Sequence, residues 1–400
     1  MLDIPPELLL VISAYLDNHN LRALALTSRF LCHLLLPGYL RRRGLTLKDT
    51  RTGGKCIELY SLNGCASLGL WSIVPIFHPP EDMYCSIPYD AQEAQSAIGF
   101  ITRFLLDPSN TSHLRNFHFS LSSNPLPIMS GLNKIQDILC LLPLTRLYIS
   151  GFDSASHLPP SIPLRGGISS GSRTLTSLVI SSDLAFAPGF VRTTLGILKQ
   201  SPIKSLAIYM VSLSPSQWST LLGRLNMPLL EDIEVEGDIS WPALLRFLIK
   251  HRGLRIVRIR GTVPLDRTQP SRSQSQHFLP NLRTLHAPLA VCWDIIRRAS
   301  SPSGLWELHV ELSRLHFHDP LFLQLLEALR RFQKLDHLGL QLMPSSLSAI
   351  PQASPGNWDG YPACELRQVC TLSFRSQGLL SPGDIVCPYI LSLALLALLT

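Results

Sequence analysis

The sequence predicts an α/β protein: a small N-terminal helical module, then a solenoid with parallel strands inside and helices outside. An apolar pattern, L-x-x-L-x-L with relaxed choices, recurs every 23 to 31 residues from about residue 114. A short motif at such a period is typical of a solenoid, because each unit buries its apolar face only against its neighbours. The sets are Leu114/Phe117/Phe119, Leu144/Leu147/Ile149, Leu175/Leu178/Ile180, Ile203/Leu206/Ile208, Leu230/Ile233/Val235, Leu254/Val257/Ile259, Leu282/Leu285/Ala287, Leu305/Leu308/Val310, Leu335/Leu338/Leu340 and a blurred Leu366/Val369.

Between these sets, apolar residues recur at the spacing of a helix. Ser214-Pro215 and Asp319-Pro320 mark two helix starts, because the first residue can cap a helix and proline fits its first position. Each unit is therefore predicted to be a strand, a turn and a helix. The helix patterns are Ile135/Ile138/Leu139/Leu142, Val191/Thr194/Leu195/Leu198, Trp218/Leu221/Leu222/Leu225, Cys292/Ile295/Ile296/Ala299 and Phe322/Leu325/Leu326/Leu329.

The first forty-odd residues carry helical patterns of their own. Pro5 and Pro6 stand where a helix start tolerates proline, and Glu7 lies in the first turn, where the helix dipole favours an acid. A polar break and a second apolar run follow, and we expect Pro37 and Gly38 to end this run. Two or three short helices result. They are too few to bury all their leucines, so we expect them to pack against another chain or the next domain.

Three segments at this end resemble the F-box: IPPELL at 4–9, YLD at 15–17 and LALTSR at 24–29 match LPxELL, YLD and LAxxSR in order. The continuation LLLPGYLRR at 34–42 resembles the exit segment of many fungal F-box proteins. In that family the helices bind a Skp-type adaptor, which bridges to a cullin scaffold. The resemblance implies adaptor contacts from Ile4, Pro5, Leu8, Leu9, Ile12, Leu16, Leu21, Leu24 and Leu26.

The repeated units resemble leucine-rich repeats in a degenerate fungal form. The two resemblances divide the chain into an F-box at 1–48, a connecting segment with the first irregular repeats at 49–113, and a leucine-rich-repeat-like solenoid with a C-terminal cap at 114–400. They imply a non-catalytic substrate-recognition subunit of a Skp/cullin/F-box ubiquitin ligase, with an unknown protein as its substrate.

Two other classes of protein stay open. In the first, the N-terminal helices are an ordinary cap and the chain is a leucine-rich-repeat interaction scaffold independent of any ligase. The second is an enzyme, which the motifs favour least. The G-x-S-x-G match at 167–171 lacks the strand and helix of a nucleophile elbow, and Gly53-Gly54-Lys55 lacks the first glycine of a phosphate loop. No cofactor and no metal site is expected, and we interpret residues 316–319 (HFHD) as a polar loop.

The alternation of a strand predicts which side chains face away from the core. In x-L-x-L-x the leucines point into the core, so the x positions form an open face, on which we expect the target to bind. If units stack in register, Glu234 meets Arg258 and Glu236 meets Arg260 across strands. A self-neutralising charge ladder is an equally good interpretation of these four residues. The candidate face contains Arg146, Tyr148, Tyr209, Asp232, Glu234, Glu236, Arg258, Arg260, His286, Glu307, His309 and Glu311.

Composition limits the partners and the compartment. The net charge is +7, but apart from residues 41–43 the basic residues are scattered, so no nucleic-acid partner is expected. The nine cysteines are dispersed and never form CxxC, which indicates free thiols in a reducing compartment, the cytoplasm or nucleus. The apolar stretch 385–399 is shorter than the ~20 residues of a spanning helix, so membrane attachment is not expected.

Overall fold

The structure, a computed structural model, describes residues 4–49, 54–73, 79–121, 129–151, 171–187, 190–261, 278–299, 304–312, 320–332, 334–342 and 371–376. The chain divides into two compact units, Met1–Ile203 and Lys204–Thr400. Both units are α/β, with mostly parallel strands that neighbour one another in chain order. The predicted α/β class is therefore confirmed.

Unit 1 (Met1–Ile203) begins with three helices and continues with strands and helices, with a short 3-10 helix at Asp183–Phe186 between its last strand and its last α-helix. Its helices contact their neighbours in the order α4 to α5, α5 to α7 and α7 to α8. Its elements are α1 Pro6–Tyr15, α2 Asn18–Ala25, α3 Arg29–Arg42, β1 Leu45–Asp49, β2 Lys55–Leu59, α4 Leu62–Ile73, β3 Asp82–Ile87, α5 Ala91–Leu106, α6 Pro108–Thr111, β4 Asn116–Leu121, α7 Met129–Leu141, β5 Arg146–Gly151, β6 Ser177–Ser181 and α8 Val191–Gln200.

Unit 2 (Lys204–Thr400) repeats the strand and helix order from its first strand, and α9 contacts α10 as α11 contacts α12. Ser214 caps α9 with a capping box, as its sequence predicts. The elements are β7 Ser205–Ile208, α9 Pro215–Arg224, β8 Asp232–Glu236, α10 Trp241–Lys250, β9 Ile256–Arg260, β10 Thr284–Pro288, α11 Leu289–Arg298, β11 Glu307–Leu312, α12 Pro320–Leu329, β12 His337–Leu342 and β13 Thr371–Ser376.

Helix α3 runs through Pro37, so the expectation that Pro37 and Gly38 end a helix is wrong. Proline has no N–H, which leaves the carbonyl of His33 without its helical partner. The His33 side chain is exposed, so water can reach this turn. Beyond the proline, Tyr39 is 6% and Leu40 1% exposed. Burial of these two large apolar side chains offsets the cost of the lost bond.

Gly44 ends α3 and leads straight into the first strand. Its φ of +83° lies in the left-handed region that favours glycine, and its N–H donates to the carbonyl of Arg41 at 3.0 Å. Strand β1 then pairs antiparallel with β2, Leu45 opposite Leu59. From β2 to β6 the pairing is parallel.

The strands of unit 2 are all parallel and share one repeated backbone contact. The carbonyl of the residue just before a strand accepts hydrogen bonds from two successive N–H groups at the start of the next strand, at 2.7 to 3.1 Å. This contact fixes the register of each new strand against the preceding one. The accepting residues are Lys204, Glu231, Arg255, Arg283 and Trp306.

The apolar sets fill the core as their period predicts. Strands β4, β7, β8, β9 and β10 alternate between buried and half-buried residues. Behind the strands of unit 2, Trp218 of α9 is 0% and Phe247 of α10 1% exposed. In unit 1, Phe117 of β4 is 1% exposed. The core of each unit therefore lies between its strands and its helices.

Most elements lie where the patterns predict them, with three differences. Strands β2 and β3 precede the predicted first repeat at Leu114, within the segment expected to hold irregular repeats, and α4, α5, α6 and α10 are additional helices. The last strand, β13, pairs with β12 so that Leu338 lies opposite Leu372 and Leu340 opposite Phe374. Its apolar set therefore starts three residues later than the predicted Leu366.

No helix within the described ranges is long and apolar enough to cross a membrane. The predicted C-terminal cap and its apolar stretch 385–399 lie outside the described residues.

His251 follows α10 and is buried as a neutral imidazole. Its Nε2 accepts a hydrogen bond from the Met227 backbone N–H at 3.0 Å, so Nδ1 carries the proton and donates to the Phe247 carbonyl at 2.7 Å. A second proton would sit on Nε2 and face an N–H donor. Burial lowers the pKa of His251 below its ordinary value.

We expect His251 to make the protein less stable in acid. Because its folded-state pKa is below the unfolded value of about 6.5, the unfolded chain binds more protons between the two values. The free energy of unfolding should therefore fall as the pH drops below about 6.5, by up to about 1.4 kcal/mol per pH unit from this residue. Urea unfolding from pH 7.5 to 5 measures the slope. H251Q should flatten it and H113Q, at an exposed histidine, should not; equal slopes in the wild type and H251Q would contradict the prediction.

Candidate functional site

Helix α1 is apolar around most of its circumference and mostly exposed. Leu8 is 53%, Val11 55%, Ile12 46% and Tyr15 87% exposed, and Ser13 is the buried residue of the helix. A contiguous apolar surface of this kind marks a site of protein interaction in a soluble protein. The helix therefore offers a surface that its own module leaves uncovered.

The residues predicted to bind an adaptor differ in exposure. Pro5, Leu8, Ile12 and Leu26 are exposed, and Leu21 is 1% exposed in the core. Leu21 thus holds α2 in the module, and the exposed members are free to make contacts. The other four, Ile4, Leu9, Leu16 and Leu24, are half-buried.

Four further exposed apolar side chains escape the sequence pattern. Leu10, Val11 and Tyr15 lie on α1, and Phe30, 56% exposed, lies on α3. The helical pattern selects one stripe per helix and assigns it to the core. It misses Leu10, Val11 and Tyr15 because α1 is apolar on more than one side.

Arg42 fastens α1 to the end of α3. Its guanidinium donates to the carbonyls of Leu16 at 2.7 Å, Ser13 at 2.9 Å and Ala14 at 3.1 Å. These carbonyls lie at the end of α1, where a helix leaves carbonyls without helical partners, although that of Ser13 also accepts the Leu16 N–H at 3.3 Å. One cationic side chain thus holds the exposed helix in place.

The open strand face of unit 1 carries a row of rings. The ring of His118 on β4 lies 4.1 Å from that of Tyr148 on β5 and 5.3 Å from that of Tyr84 on β3, between ring centroids. His118 Nε2 lies 3.1 Å from Ser150 Oγ, and Ser181 Oγ donates to the Tyr148 hydroxyl at 3.2 Å. Burial lowers the pKa of His118. Of these rings, only Tyr148 belongs to the predicted face, because the repeat pattern treats Tyr84 as part of the irregular segment and overlooks His118.

Arg146 and Tyr209 lie at the margins of their strands. Arg146 is exposed at the start of β5. Tyr209 lies one residue beyond β7 and is half-buried, and the next residue, Met210, has a φ of +53°. The chain turns there, so Tyr209 is at the end of the strand rather than within it.

In unit 2, strands β8 and β9 carry the predicted charge ladder in the predicted register, with Glu234 opposite Arg258 and Glu236 opposite Arg260. The side chains pair differently. Arg258 Nη1 is 3.2 Å from Asp232 Oδ1 and 4.0 Å from Glu234 Oε2, and Arg260 Nη2 is 3.0 Å from Glu234 Oε1. The expected contact of Glu236 with Arg260 is therefore wrong. Each arginine reaches the acid two residues earlier on its neighbour, a diagonal within the range of long side chains.

The charge ladder is only partly shielded from water. The side chains of Asp232, Glu234, Arg258 and Arg260 are 28%, 19%, 32% and 41% exposed. Burial raises the pKa of Asp232, although Arg258 acts in the opposite direction. Pairs this accessible contribute about 0 to 1 kcal/mol each to stability and keep their charges available to a partner.

A row of histidines and acids follows on β10, β11 and β12. The ring centroid of His309 lies 5.5 Å from that of His286 and 5.1 Å from that of His337. His309 Nε2 lies 2.7 Å from Glu307 Oε1, and His286 Nε2 is 3.2 Å from Glu311 Oε1. Three strands thus bring five titratable side chains together, and His337 is the one that is absent from the predicted face.

The pKa shifts in this row match a neutral imidazole that donates to a carboxylate. Burial lowers the pKa of His309 and outweighs its hydrogen bond with Glu307, which acts to raise it. Burial acts to raise the pKa of Glu307, but hydrogen bonds from His309 and Thr284 bring it below its ordinary value.

The motifs set aside from sequence have no catalytic geometry where they are described. Lys55 begins β2, and its Nζ pairs with the carboxylate of Asp49, its partner in β1. Residues 167–170 and 316–319 lie outside the described residues. Six cysteines in the described ranges are free and buried, and burial raises the pKa of Cys65 to about 12. Its thiol is therefore protonated at neutral pH.

Comparison of the sequence with models of known protein families and with curated proteins finds no significant match.

We predict that R42A loosens α1 while the rest of unit 1 stays folded. Loss of about 1.4 kcal/mol of hydrogen bonding would speed local opening about tenfold. Hydrogen exchange followed by mass spectrometry should show this increase over residues 6–15 and not in β4 or β5. R41A, at an exposed neighbour, is the matched control. Equal exchange of α1 in the wild type and R42A would mean that Arg42 does not hold the helix.

Proposed function

We propose that the chain is the substrate-recognition subunit of a Skp/cullin/F-box ubiquitin ligase, without catalytic activity of its own. In this proposal the N-terminal helices dock the Skp-type adaptor, and through it a cullin, and a strand face binds a target protein. The observation that carries the proposal is the exposed apolar helix α1. The adaptor and cullin would place the protein in the cytoplasm, the nucleus or both.

The three F-box-like segments support this proposal by their positions in the module. Residues 4–9 begin α1, residues 15–17 join α1 to α2, and residues 24–29 join α2 to α3. Asp17 caps α2 by accepting from the Asn20 N–H at 2.7 Å, and Ser28 caps α3 by accepting from the Leu31 N–H at 3.2 Å. The second and third segments therefore have a local structural role as helix caps, and the exposed apolar residues of α1 remain for an adaptor.

The strand and helix units support a leucine-rich-repeat-like body. Within each unit of the chain, strands follow one another in chain order, and helices contact a neighbour, as α4 does α5, α7 does α8, α9 does α10 and α11 does α12. On β4, β8 and β9 the x positions stay half-buried, as on the open face of a solenoid. Two open faces, one aromatic and one charged, are thereby offered to a target.

The alternative is a leucine-rich-repeat scaffold independent of any ligase, with the N-terminal helices as an ordinary cap. A cap covers the core of its neighbour with its apolar side, but α1 exposes most of its own. The exposed helix favours the ligase receptor over the scaffold.

We predict that L8D abolishes binding of a Skp-type adaptor. A carboxylate at the centre of the apolar surface would be desolvated on docking, which should weaken the complex at least about 100-fold. Leu8 is 53% exposed in the free protein, so the variant should still fold, as circular dichroism can verify. Co-purification of the full chain with recombinant adaptor measures binding.

The matched control is L141D, because Leu141 is 80% exposed at the end of α7, away from the helical module. This variant should bind the adaptor normally. A wild-type chain that captures no adaptor would overturn the receptor proposal and leave the scaffold.

We also predict that reversal of the charge ladder, E234R with R258E, removes proteins captured by the wild-type chain. The double reversal leaves opposite charges at the directly opposed positions 234 and 258, but it places like charges in the two diagonal pairs, Arg258 with Asp232 and Arg260 with Glu234. Because pairs this accessible contribute about 0 to 1 kcal/mol each, the variant should still fold, as circular dichroism can verify, and it inverts the charge presented to a partner at both positions. Quantitative pull-down compares the captured proteins. The control is E327R with R330E, which reverses a 3.1 Å ion pair at the end of α12. An unchanged set of captured proteins in the ladder variant would exclude this part of the face.

A further inference from the structure

Two neighbouring strands bring three metal-ligand side chains together. Glu307 and His309 lie on β11, and His337 lies on β12 directly opposite Glu307. One ligand atom from each side chain lies within 4.8 Å of the other two. We propose that these three side chains form a binding site for one divalent transition-metal ion, with Zn²⁺ as the preferred ion.

The donor set suits this class of ion. Two imidazole nitrogens and one carboxylate oxygen bind Zn²⁺ at about 2.0 to 2.2 Å in protein sites with three ligands and an open position. Tetrahedral geometry at such bond lengths separates the ligand atoms by roughly 3.3 Å. Small side-chain rotations therefore bring the three atoms from their present separation into coordination. Ca²⁺ and Mg²⁺ prefer oxygen ligands and suit the site less well.

Gly339 makes room for the central ligand. It lies opposite His309 on β12, and the histidine ring covers the position that a side chain would occupy. A Cβ at this position would lie 2.7 Å from His309 Cε1 and closer still to Nδ1. Any larger residue would push the ring away from Glu307 and His337.

Two hydroxyl groups orient the outer ligands. Thr284 Oγ1 donates to Glu307 Oε2 at 3.2 Å, which leaves Oε1 directed toward His309. Ser373 Oγ lies 3.0 Å from His337 Nε2. Hydrogen bonds of this kind hold metal ligands in position and fix the tautomer of a ligating histidine.

A second histidine and acid pair beside the cluster increases its attraction for a cation. Glu311 of β11 is 6% exposed, and His286 Nε2 is buried 3.2 Å from its carboxylate without the geometry of a hydrogen bond. The buried carboxylate adds negative charge on the same face of the strand as Glu307 and His309. A cation in the cluster would compensate this charge.

The remaining coordination position faces the open strand surface. The side chain of Glu307 is 38% exposed and that of His309 15%, so an ion can enter from solvent. Water, or a donor atom from a bound protein, would complete the coordination shell.

Titration of the untagged, metal-free full chain with ZnCl₂ in a calorimeter tests the proposal. We expect one equivalent to bind, and H309Q and H337Q each to weaken binding about 100-fold or more. G339A should also weaken it, although this variant keeps every ligand. T284V should cost about 10- to 100-fold, as loss of an orienting partner does at other metal sites. Visible absorption of the Co²⁺-loaded chain should report nitrogen and oxygen ligands.

The control is H118Q, which removes a histidine from the strand face of unit 1 and should leave the affinity unchanged. Circular dichroism and thermal melting of each variant check the fold. If H309Q or H337Q does not fold, T284V and G339A decide, because both retain the three ligands. No binding to the wild-type chain, or equal affinity in the wild type and the folded variants, would overturn the proposal.

Discussion

The paired hydrogen bonds to the carbonyl before each strand of unit 2 determine the surface of that unit. Each carbonyl accepts two N–H groups from the next strand and so fixes its register. A slip of one residue would turn every leucine outward and every polar residue into the core. The charge ladder on β8 and β9 and the histidine row on β10, β11 and β12 both depend on this register. The open strand face and the core packing are thus specified by the same backbone contact.

The fold was largely predictable from the sequence because the apolar period is local and strong. Strand β3 escaped the pattern because Met83 and Cys85 take the places that leucines hold in later units. The passage of α3 through Pro37 could not be foreseen, since it depends on the burial of Tyr39 and Leu40.

The candidate sites were less predictable, because they depend on where side chains point and on contacts between units. Glu234 and Arg258 lie opposite each other, as the predicted register requires. The long arginine side chains nevertheless extend diagonally, so that Arg260 pairs with Glu234. His337 was missed because it lies 28 residues after His309 in the sequence. Alignment of the units beginning at Leu305 and Leu335 places His337 beside Glu307 and glycine beside His309. A comparison of units, rather than of single strands, would therefore have found the cluster.

Helix α3 joins the exposed N-terminal helix to the strands without an intervening linker. Its last turn supplies Arg42, which grips α1, and Gly44 passes directly into β1. A protein seated on α1 would therefore hold a defined orientation toward the aromatic face of unit 1. The helical module is thus joined directly to the strands and not through a linker. Under the proposed receptor function, this fixed orientation would decide which lysines of a bound target come within reach of a transferring enzyme.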